Sequence, residues 1–332
     1  MTDRITFTNE LELEHLNLFS GLFSAREMYV EAMAEIAEED SSVMFISAEN
    51  MLSSGNLKIF QEKNPDRFVE VGIAEANQVG IAAGMALEGK TVFMQGFGPF
   101  LALRTLDQLH TDIAYMNLKV RMVNTHSGLT SGGGPTHYNI MDLGITRMLP
   151  NFTVVCPSDA NQCQKVIRAT KDIPGPVFIR IARGAEPAVY TTQDYDFQIG
   201  KGIEVHEGND IAIFAIVSTV ALAVSAANGL EKEKINARVI DMHTLRPIDK
   251  DIIIKAAKET KAFITVEDHL VTGGLGSAIS EVVTEAGIGV KIKRLGVPGD
   301  DFPPLGDMYE LFKHLGYDPE GIKKAAREIL GR

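Results

Sequence analysis

The strongest constraint on the fold is a regular alternation of short apolar runs with amphipathic stretches along the chain. Apolar runs that suit buried strands occur at 43–47, 67–71, 91–95, 120–125, 153–156 and 177–181. Helical patterns lie between them, at 25–38, 75–88, 100–115 and 159–170. Strands that are apolar on both faces and connected by helices are typical of a mainly parallel sheet covered on both sides. The sequence therefore predicts an α/β fold.

A second α/β unit follows a break in this rhythm. Around 184–202 the chain is polar and shows no helical period, which is typical of a linker. Beyond it, strands are predicted at 211–217, 237–240, 262–267 and 290–294, and helices at 220–233, 249–259, 277–286 and from Asp318-Pro319 onward. We therefore divide the chain into a first domain (1–186), a linker (187–204) and a smaller second domain (205–332).

Composition argues against several classes of protein. The formal net charge is −12, from 32 basic and 44 acidic residues, and an acidic chain without a basic block is unsuited to nucleic acids or anionic membranes. No apolar run reaches membrane-spanning length, and the polar, acidic N-terminal stretch is not a signal peptide. Cys156 and Cys163 lack metal-binding spacing and are expected to be buried, reduced thiols. We expect a cytoplasmic protein with no metal site on this chain.

The segment Val71-Gly72-Ile73-Ala74-Glu75 places an ionisable side chain at the start of a helix that is otherwise small and apolar. Such a carboxyl is expected to be desolvated and held as a protonated acid that can donate a hydrogen bond. A second interpretation is that Glu75 only caps the helix. Gly80 and Gly84 are four residues apart on one helix face, so another backbone could approach closely there.

Further polar clusters follow the predicted strands, where ligands of open α/β sheets bind. Phe97 and Phe100 flank Gly98-Pro99 and could stack on a planar ring or simply pack in the core. The glycine-rich stretch 125–137 carries His126 and His137 near its two ends, and imidazoles can move protons near neutral pH. A plain surface loop explains the glycines but not the histidines.

Two arginines and a second glycine run complete the set of candidates. Arg26 opens a helix and Arg183 follows a strand, and either could hold a phosphate or form an ordinary surface ion pair. Gly273-Gly274-Leu275-Gly276 does not meet the dinucleotide fingerprint, because Ile279 stands where its third glycine would fall. Close packing of strand and helix is the better interpretation.

Taken together, these motifs closely resemble the C-terminal half of transketolase. The resemblance rests on segment 71–86, the Phe97 and Phe100 pair, Thr125-His126, Gly134-Pro135-Thr136-His137 and Arg183. In the second domain it rests on segment 241–249 and on Glu267-Asp268-His269 before the glycine run. It implies a pyrimidine-binding domain of the thiamine-diphosphate fold followed by the family's smaller C-terminal α/β domain.

The resemblance also implies roles at matching positions. Glu75 matches the glutamate that hydrogen-bonds the aminopyrimidine ring of thiamine diphosphate, and Phe100 matches the ring stacked on it, with Phe97 beside it. His137 matches a catalytic histidine at the cofactor, and His126 a catalytic one that contacts the donor sugar. The residues that match holders of the sugar phosphate are Arg26, Ser53 and Arg183.

One family motif has no counterpart. Enzymes of this family bind the diphosphate and Mg²⁺ through a Gly-Asp-Gly motif followed by an asparagine, and the sequence contains no Gly-Asp-Gly. This implies a split transketolase, in which a partner subunit with that motif holds the diphosphate and the metal. By family analogy, two copies of each chain would assemble and act on phosphorylated sugars.

Departures from the family pattern concern the substrate. Ser131-Gly132-Gly133-Gly134 stands where most transketolases read Gly-Glu-Asp-Gly, so that Gly133 replaces an aspartate that contacts the sugar. Glu49-Asn50 replaces a usual Asp-Leu, and Leu103 a tyrosine of some members. The resemblance therefore leaves the donor and the acceptor open.

Three alternatives to a split transketolase stay open. The β subunit of a 2-oxoacid dehydrogenase E1 component shares the domain pair, but the Gly-Pro-Thr-His loop and Arg183 argue against it. A deoxyxylulose-phosphate synthase has a similar Gly-Ile-Ala-Glu segment but normally carries its diphosphate domain in the same chain. The third alternative is a non-catalytic regulatory homologue, and the presence of Glu75, Phe100, both loop histidines and Arg183 argues against it.

Overall fold

The computed structural model describes residues 24–48, 55–129, 133–183, 187–190 and 194–332. Its strands are β1 (Val43–Ser47), β2 (Phe68–Glu70), β3 (Thr91–Phe97), β4 (Val120–Thr125), β5 (Thr153–Val155), β6 (Val177–Arg180), β7 (Ile203–His206), β8 (Ile211–Ala215), β9 (Ala237–Asp241), β10 (Thr244–Arg246), β11 (Ala262–Leu270) and β12 (Lys291–Val297). Its helices are α1 (Ala25–Glu39), α2 (Lys58–Lys63), α3 (Glu75–Leu87), α4 (Leu106–Gln108), α5 (Asp142–Met148), α6 (Ala160–Thr170), α7 (Thr219–Lys232), α8 (Lys250–Glu259), α9 (Leu275–Glu285), α10 (Met308–Leu315) and α11 (Pro319–Leu330).

The first sheet has seven strands in the order β10-β5-β6-β4-β3-β1-β2. All pairings among β1 to β6 are parallel, which confirms the predicted fold class. Its edge strand β10 comes from the second domain and pairs antiparallel with β5. This strand was not predicted, because its three residues carry no periodic signal and its partner lies about ninety residues earlier in the chain.

The second sheet has five strands in the order β12-β11-β8-β9-β7. Only β7 runs antiparallel, beside β9, and the other pairings are parallel. Strand β7 begins at Ile203, within the stretch predicted as linker. Helix α11 begins as expected, with Asp318 as its N-cap accepting a hydrogen bond from the Gly321 N–H at 3.0 Å.

The predicted helix 100–115 is wrong in detail. The structure divides it into a π-helical segment, Phe100–Arg104, the single α-turn α4, and a second π-helical segment, Leu109–Tyr115. Wider π turns are uncommon and are frequent at functional sites. The first of these segments carries two side chains of the candidate site.

The two domains share a hydrophobic core. One continuous cluster of buried side chains contains Met94 and Met122 of the first sheet together with Phe214 and Phe263 of the second. Burial of this apolar surface holds the domains in one arrangement. Among the helices that the structure describes, none has both the length and the apolar character needed to cross a membrane.

Candidate active site

Strand register brings the predicted site residues to one edge of the first sheet. Phe97, the last residue of β3, lies opposite Thr125, the last residue of β4. On the other side of β4, Asn124 lies opposite Arg180 of β6. Because the strands are parallel, the segments that follow them, including His126 and Arg183, emerge at the same edge.

Helix α3 fixes Glu75 at that edge. Gly72 turns the chain after β2 with a φ of 69°, a left-handed value that glycine adopts without steric cost. The Gln78 side-chain amide then donates to the carbonyls of Ile46 on β1, at 3.0 Å, and of Gln95 on β3, at 2.8 Å. These bonds pin the first turn of α3 to the sheet. Glu75, the first residue of the helix, is only 4% exposed.

The Glu75 carboxyl has a partner that was not predicted from the sequence. Arg104 donates from a guanidinium nitrogen to Glu75 Oε2 at 2.8 Å. From the sequence we expected apolar surroundings for this carboxyl. The structure instead has a cation beside it. The spacing of Phe100 and Arg104, four residues apart, indicates that these two side chains lie near one another on a helical surface, but it does not indicate the pairing with Glu75.

Four aromatic rings converge beside this pair. The Phe97 ring stacks on the His126 imidazole with centroids 3.9 Å apart. The Phe100 ring meets His137 edge to face at 5.3 Å, and Phe97 and Phe100 are 6.1 Å apart. Both predicted phenylalanines and both predicted histidines thus belong to one cluster, and offset or edge-to-face contacts are the arrangement such rings prefer.

His126 is held in an unusual backbone conformation. Its φ is 59°, in the left-handed region that few residues other than glycine adopt, and it is 1% exposed. Backbone strain of this kind persists only where surrounding contacts hold the residue in place, and it is often found at functional sites. Burial lowers the pKa of His126 to about 3, and the positive charges of Arg26 and Arg183 act in the same direction. The imidazole is therefore neutral at neutral pH, and both arginines lie within electrostatic range of it.

Hydrogen bonding assigns the tautomer of His126. The Thr125 hydroxyl donates to the Gly96 carbonyl at 3.2 Å, so its oxygen is left to accept from His126 Nδ1–H at 3.0 Å. Nε2 then carries a lone pair. This atom is buried, and within the described residues it has no hydrogen-bond partner. Buried polar atoms are rarely left unpaired, so Nε2 suits a hydroxyl or N–H of a ligand.

The second domain supports the loop between the two histidines. Both carboxylate oxygens of Asp268 accept from the Leu129 N–H, at 3.1 and 3.0 Å, and the Tyr138 hydroxyl donates to the Pro304 carbonyl at 2.8 Å. Gly128 makes the first contact possible, since a Cβ there would lie 1.8 Å from Asp268 Oδ2. Burial raises the pKa of Asp268 to about 6, and the Arg180 charge opposes that rise.

Arg180 links the domains in the same region. It is fully buried, donates from Nε to Asp142 at 2.9 Å and from a terminal nitrogen to the Asp268 carbonyl at 2.8 Å. Removing one partner of such a buried ion pair is strongly destabilising. Neither Arg180 nor Asp268 was assigned a site role from the sequence, although Asp268 belongs to the Glu267-Asp268-His269 motif.

The glycine run 273–276 serves packing. The N–H groups of Leu275 and Gly276 donate to the Glu267 carboxyl at 2.7 and 2.8 Å, so this side chain caps α9. A Cβ at Gly274 would lie 2.0 Å from Glu267 Oε2. The glycine is needed for that approach, which agrees with the packing interpretation rather than a dinucleotide site.

Several of the residues singled out in the sequence lie outside the described residues, namely Ser53, Glu49-Asn50 and Ser131-Gly132. Within the described part of the chain, no group of three or more histidine, cysteine, aspartate or glutamate side chains could hold a metal ion. Cys156 and Cys163 are buried free thiols, as expected.

These features define a class: an α/β subunit with a carboxyl, a face of aromatic rings and a neutral histidine gathered at one sheet edge, within reach of two arginines. A planar, hydrogen-bonding ring fits the carboxyl and the ring faces.

The comparisons with known proteins narrow the class of protein. The family model described as "Transketolase, pyrimidine binding domain" matches residues 23–187, and "Transketolase, C-terminal domain" matches residues 200–322. The chain belongs to the transketolase family.

Relatives of the chain include separate transketolase subunits. One subunit of an apulose-4-phosphate transketolase of Phocaeicola vulgatus is 36% identical over 94% of this chain and 99% of its own length. A solved structure titled "Split gene transketolase, inactive beta4 tetramer" is 35% identical, covers 93% of this chain and 98% of that chain, and has a TM-score of 0.83. 1-Deoxy-D-xylulose-5-phosphate synthase 1 of Geobacter sulfurreducens is 35% identical over 93% of this chain, which spans only 48% of that enzyme. The chain thus corresponds over its length to the C-terminal subunit of a split transketolase.

Proposed function

We propose that this chain, together with a separate subunit that carries the Gly-Asp-Gly motif, forms a thiamine-diphosphate-dependent transketolase. The pair would transfer a two-carbon ketol unit from a phosphorylated ketose to an aldose. The observation that carries the proposal is the convergence of Glu75, Phe97, Phe100, His126 and His137 at one sheet edge. In the family, thiamine diphosphate supplies the carbon centre that accepts the ketol unit.

The residues of this chain would bind and orient the cofactor ring. Glu75 would hydrogen-bond a ring nitrogen, and the hold of α3 on the sheet edge supports this role. The planar cofactor ring would stack on the faces of Phe100 and Phe97, an arrangement that aromatic rings favour. His137, edge-on to Phe100 at 5.3 Å, would lie beside the same ring. The diphosphate and Mg²⁺ would be held by the partner subunit.

His126, Arg26 and Arg183 would bind the sugar. The neutral imidazole has a lone pair on Nε2 and can accept a hydrogen bond from a substrate hydroxyl. The two arginines supply guanidinium groups suited to a phosphate. The positive charges that depress the His126 pKa are the ones that would attract the anionic substrate. Ser53 would assist them.

An exposed face of α3 supports the proposal of a partner subunit. A Cβ added at Gly80 or Gly84 would meet no described atom within 4 Å, and near the two ends of the helix Ile73 and Leu87 are 74% and 60% exposed. Large apolar side chains around an open helix surface are typical of a protein–protein interface. Because Glu75 begins the same helix, a chain docked there would close the site. We propose an assembly of two copies of each subunit.

Reconstitution tests the proposal. The chain alone, the chain with a partner that carries Gly-Asp-Gly, and the same pair with Glu75→Gln would be assayed with a panel of phosphorylated ketoses and aldoses. We expect activity in the unsubstituted pair and in a pair with Glu285→Gln, an exposed carboxyl on α9 that serves as the matched control. We expect none in the chain alone or in the Glu75→Gln pair. Thermal melting would show that Glu75→Gln is folded.

The same assay distinguishes the alternatives. Decarboxylation of a 2-oxoacid without ketol transfer would point to an E1 β subunit, and condensation of pyruvate with an aldehyde phosphate to a deoxyxylulose-phosphate synthase. Full activity of Glu75→Gln, or of the chain alone, would reject the proposal.

A further inference from the structure

Arg104 contacts the two residues to which the proposed function assigns the cofactor ring. Its guanidinium donates to Glu75 Oε2 at 2.8 Å. Its central carbon also lies over the Phe100 ring, 4.5 Å from the centroid. One planar cation therefore donates a hydrogen bond to the carboxylate and lies over the aromatic ring at the same time.

These two contacts reproduce what a bound ring would need. Guanidinium is flat, donates hydrogen bonds in its own plane and stacks on aromatic faces, which is why it can imitate a planar heterocycle. A ring that hydrogen-bonds Glu75 and stacks on Phe100 must take the position that the guanidinium holds. The two cannot be there together.

The burial of the pair shows which partner can move. The Glu75 side chain is 4% exposed, whereas the Arg104 side chain is 49% exposed. Arg104 ends the π-helical segment that begins at Phe100, so its long side chain can swing toward solvent without disturbing the backbone. An ion pair with one exposed partner is weak enough to be displaced by a ligand.

We infer that Arg104 competes with thiamine diphosphate for Glu75 and Phe100. Its positive charge compensates the buried Glu75 carboxylate until the cofactor ring displaces the guanidinium. This inference rests on the proposed function for the identity of the ring, but it makes a separate statement: Arg104 opposes cofactor binding rather than contributing to it.

Cofactor affinity of the reconstituted pair tests the inference. The Kd for thiamine diphosphate in the presence of Mg²⁺ would be measured by titration calorimetry for the wild-type pair and for Arg104→Met and Arg104→Gln. We expect the Kd to fall about 3- to 10-fold in both variants, because a modest ion pair and a cation–π contact no longer compete. Arg168→Met is the matched control, since Arg168 is also about half exposed but pairs with Glu35 on the outer surface.

The outcomes separate the two proposals. A Kd that is unchanged or higher in both Arg104 variants, with normal melting temperatures, overturns the inference while leaving the proposed function in place. Failure of the wild-type pair to bind thiamine diphosphate at all overturns the proposed function, and this inference with it. If Arg104→Met does not assemble with the partner, the Arg104→Gln titration decides.

Discussion

The Phe97 ring and the His126 imidazole stack with centroids 3.9 Å apart and planes inclined by 27°. Phe97 covers one face of the imidazole, and its apolar surface helps to keep water from a ring that is 1% exposed. A desolvated imidazole disfavours its charged form, and neighbouring guanidinium groups disfavour it further. The stacking pair therefore explains both the neutrality of His126 and the depressed pKa of about 3.

His126 should stay neutral to well below pH 6. We expect ¹⁵N-histidine spectra of the chain to show a protonated Nδ1 and an unprotonated Nε2 from pH 8 to pH 5. Phe97→Ala admits water to the ring and should move the His126 pKa upward, toward its ordinary value. Tyr115→Ala, at an 81% exposed ring, is the control and should leave the titration unchanged. A wild-type His126 that titrates near 6.5 would contradict the assigned environment.

Gly133 leaves no room for a larger residue beside His137. A Cβ there would lie 2.5 Å from His137 Cγ and 2.9 Å from its Cβ, close to the root of the side chain, where the ring cannot yield without moving its attachment. We expect Gly133→Ala to shift His137 from Phe100 and to lower kcat/KM of the reconstituted pair about 10- to 100-fold, as misplaced catalytic groups do. Gly289→Ala, in open space, should have no effect. Equal activity of both variants would show that His137 is not at the reaction centre.

The exposed face of α3 should be needed for assembly but not for folding. A Cβ at Gly84 would meet no described atom within 4 Å apart from its chain neighbours and its own helix backbone. Because Gly84→Glu also replaces a poor helix former, the chain alone should melt no lower and gain up to about 1 kcal/mol of stability. In a tight interface the added carboxylate would be buried without a partner, which is costly. We therefore expect loss of the complex in light scattering, with Gly289→Glu as the control. An intact complex would place the interface elsewhere.

The general architecture could be predicted because buried parallel strands appear in the sequence as continuous runs of apolar residues. Strands 43–47 and 120–125 have the predicted bounds for this reason. The location of Phe97 and His126 at the same sheet edge also follows from the sequence, since residues after parallel strands share an edge. Assignments of residue roles at this site stay predictions, as does the division into domains.

The contacts that tune the site could not be predicted. The Arg104–Glu75 ion pair depends on a π-helical segment and on one side-chain rotamer, which no periodicity records. The hydrogen bonds from Leu129 to Asp268 join residues 139 positions apart. The partners in these contacts are determined by the tertiary packing of the two domains. Local propensity carries no information on that packing.

Asp268 should make stability depend on pH in a defined window. Its pKa rises from 3.8 in an unfolded chain to about 6 in the fold, chiefly through burial. Between these values the folded state binds more protons than the unfolded state, so the contribution of Asp268 is full below pH 3.8 and is lost as pH rises through 6. The Asp268→Asn variant keeps an acceptor for the Leu129 N–H but does not titrate. The free energy of unfolding of the wild type, relative to Asp268→Asn, should therefore fall by about 2–3 kcal/mol between pH 4 and pH 7.

Urea titrations at pH 4, 5, 6 and 7 would measure this difference. Asp210→Asn is an informative control, because hydrogen bonds with Lys261 and Asn236 lower the Asp210 pKa below 3.8. That group contributes stability above pH 3.8 and loses it only as pH falls further, so its difference curve should be nearly flat from pH 5 to 7. A flat curve for Asp268→Asn as well would mean that its carboxyl is solvated and that Leu129 is not anchored to it as the structure shows.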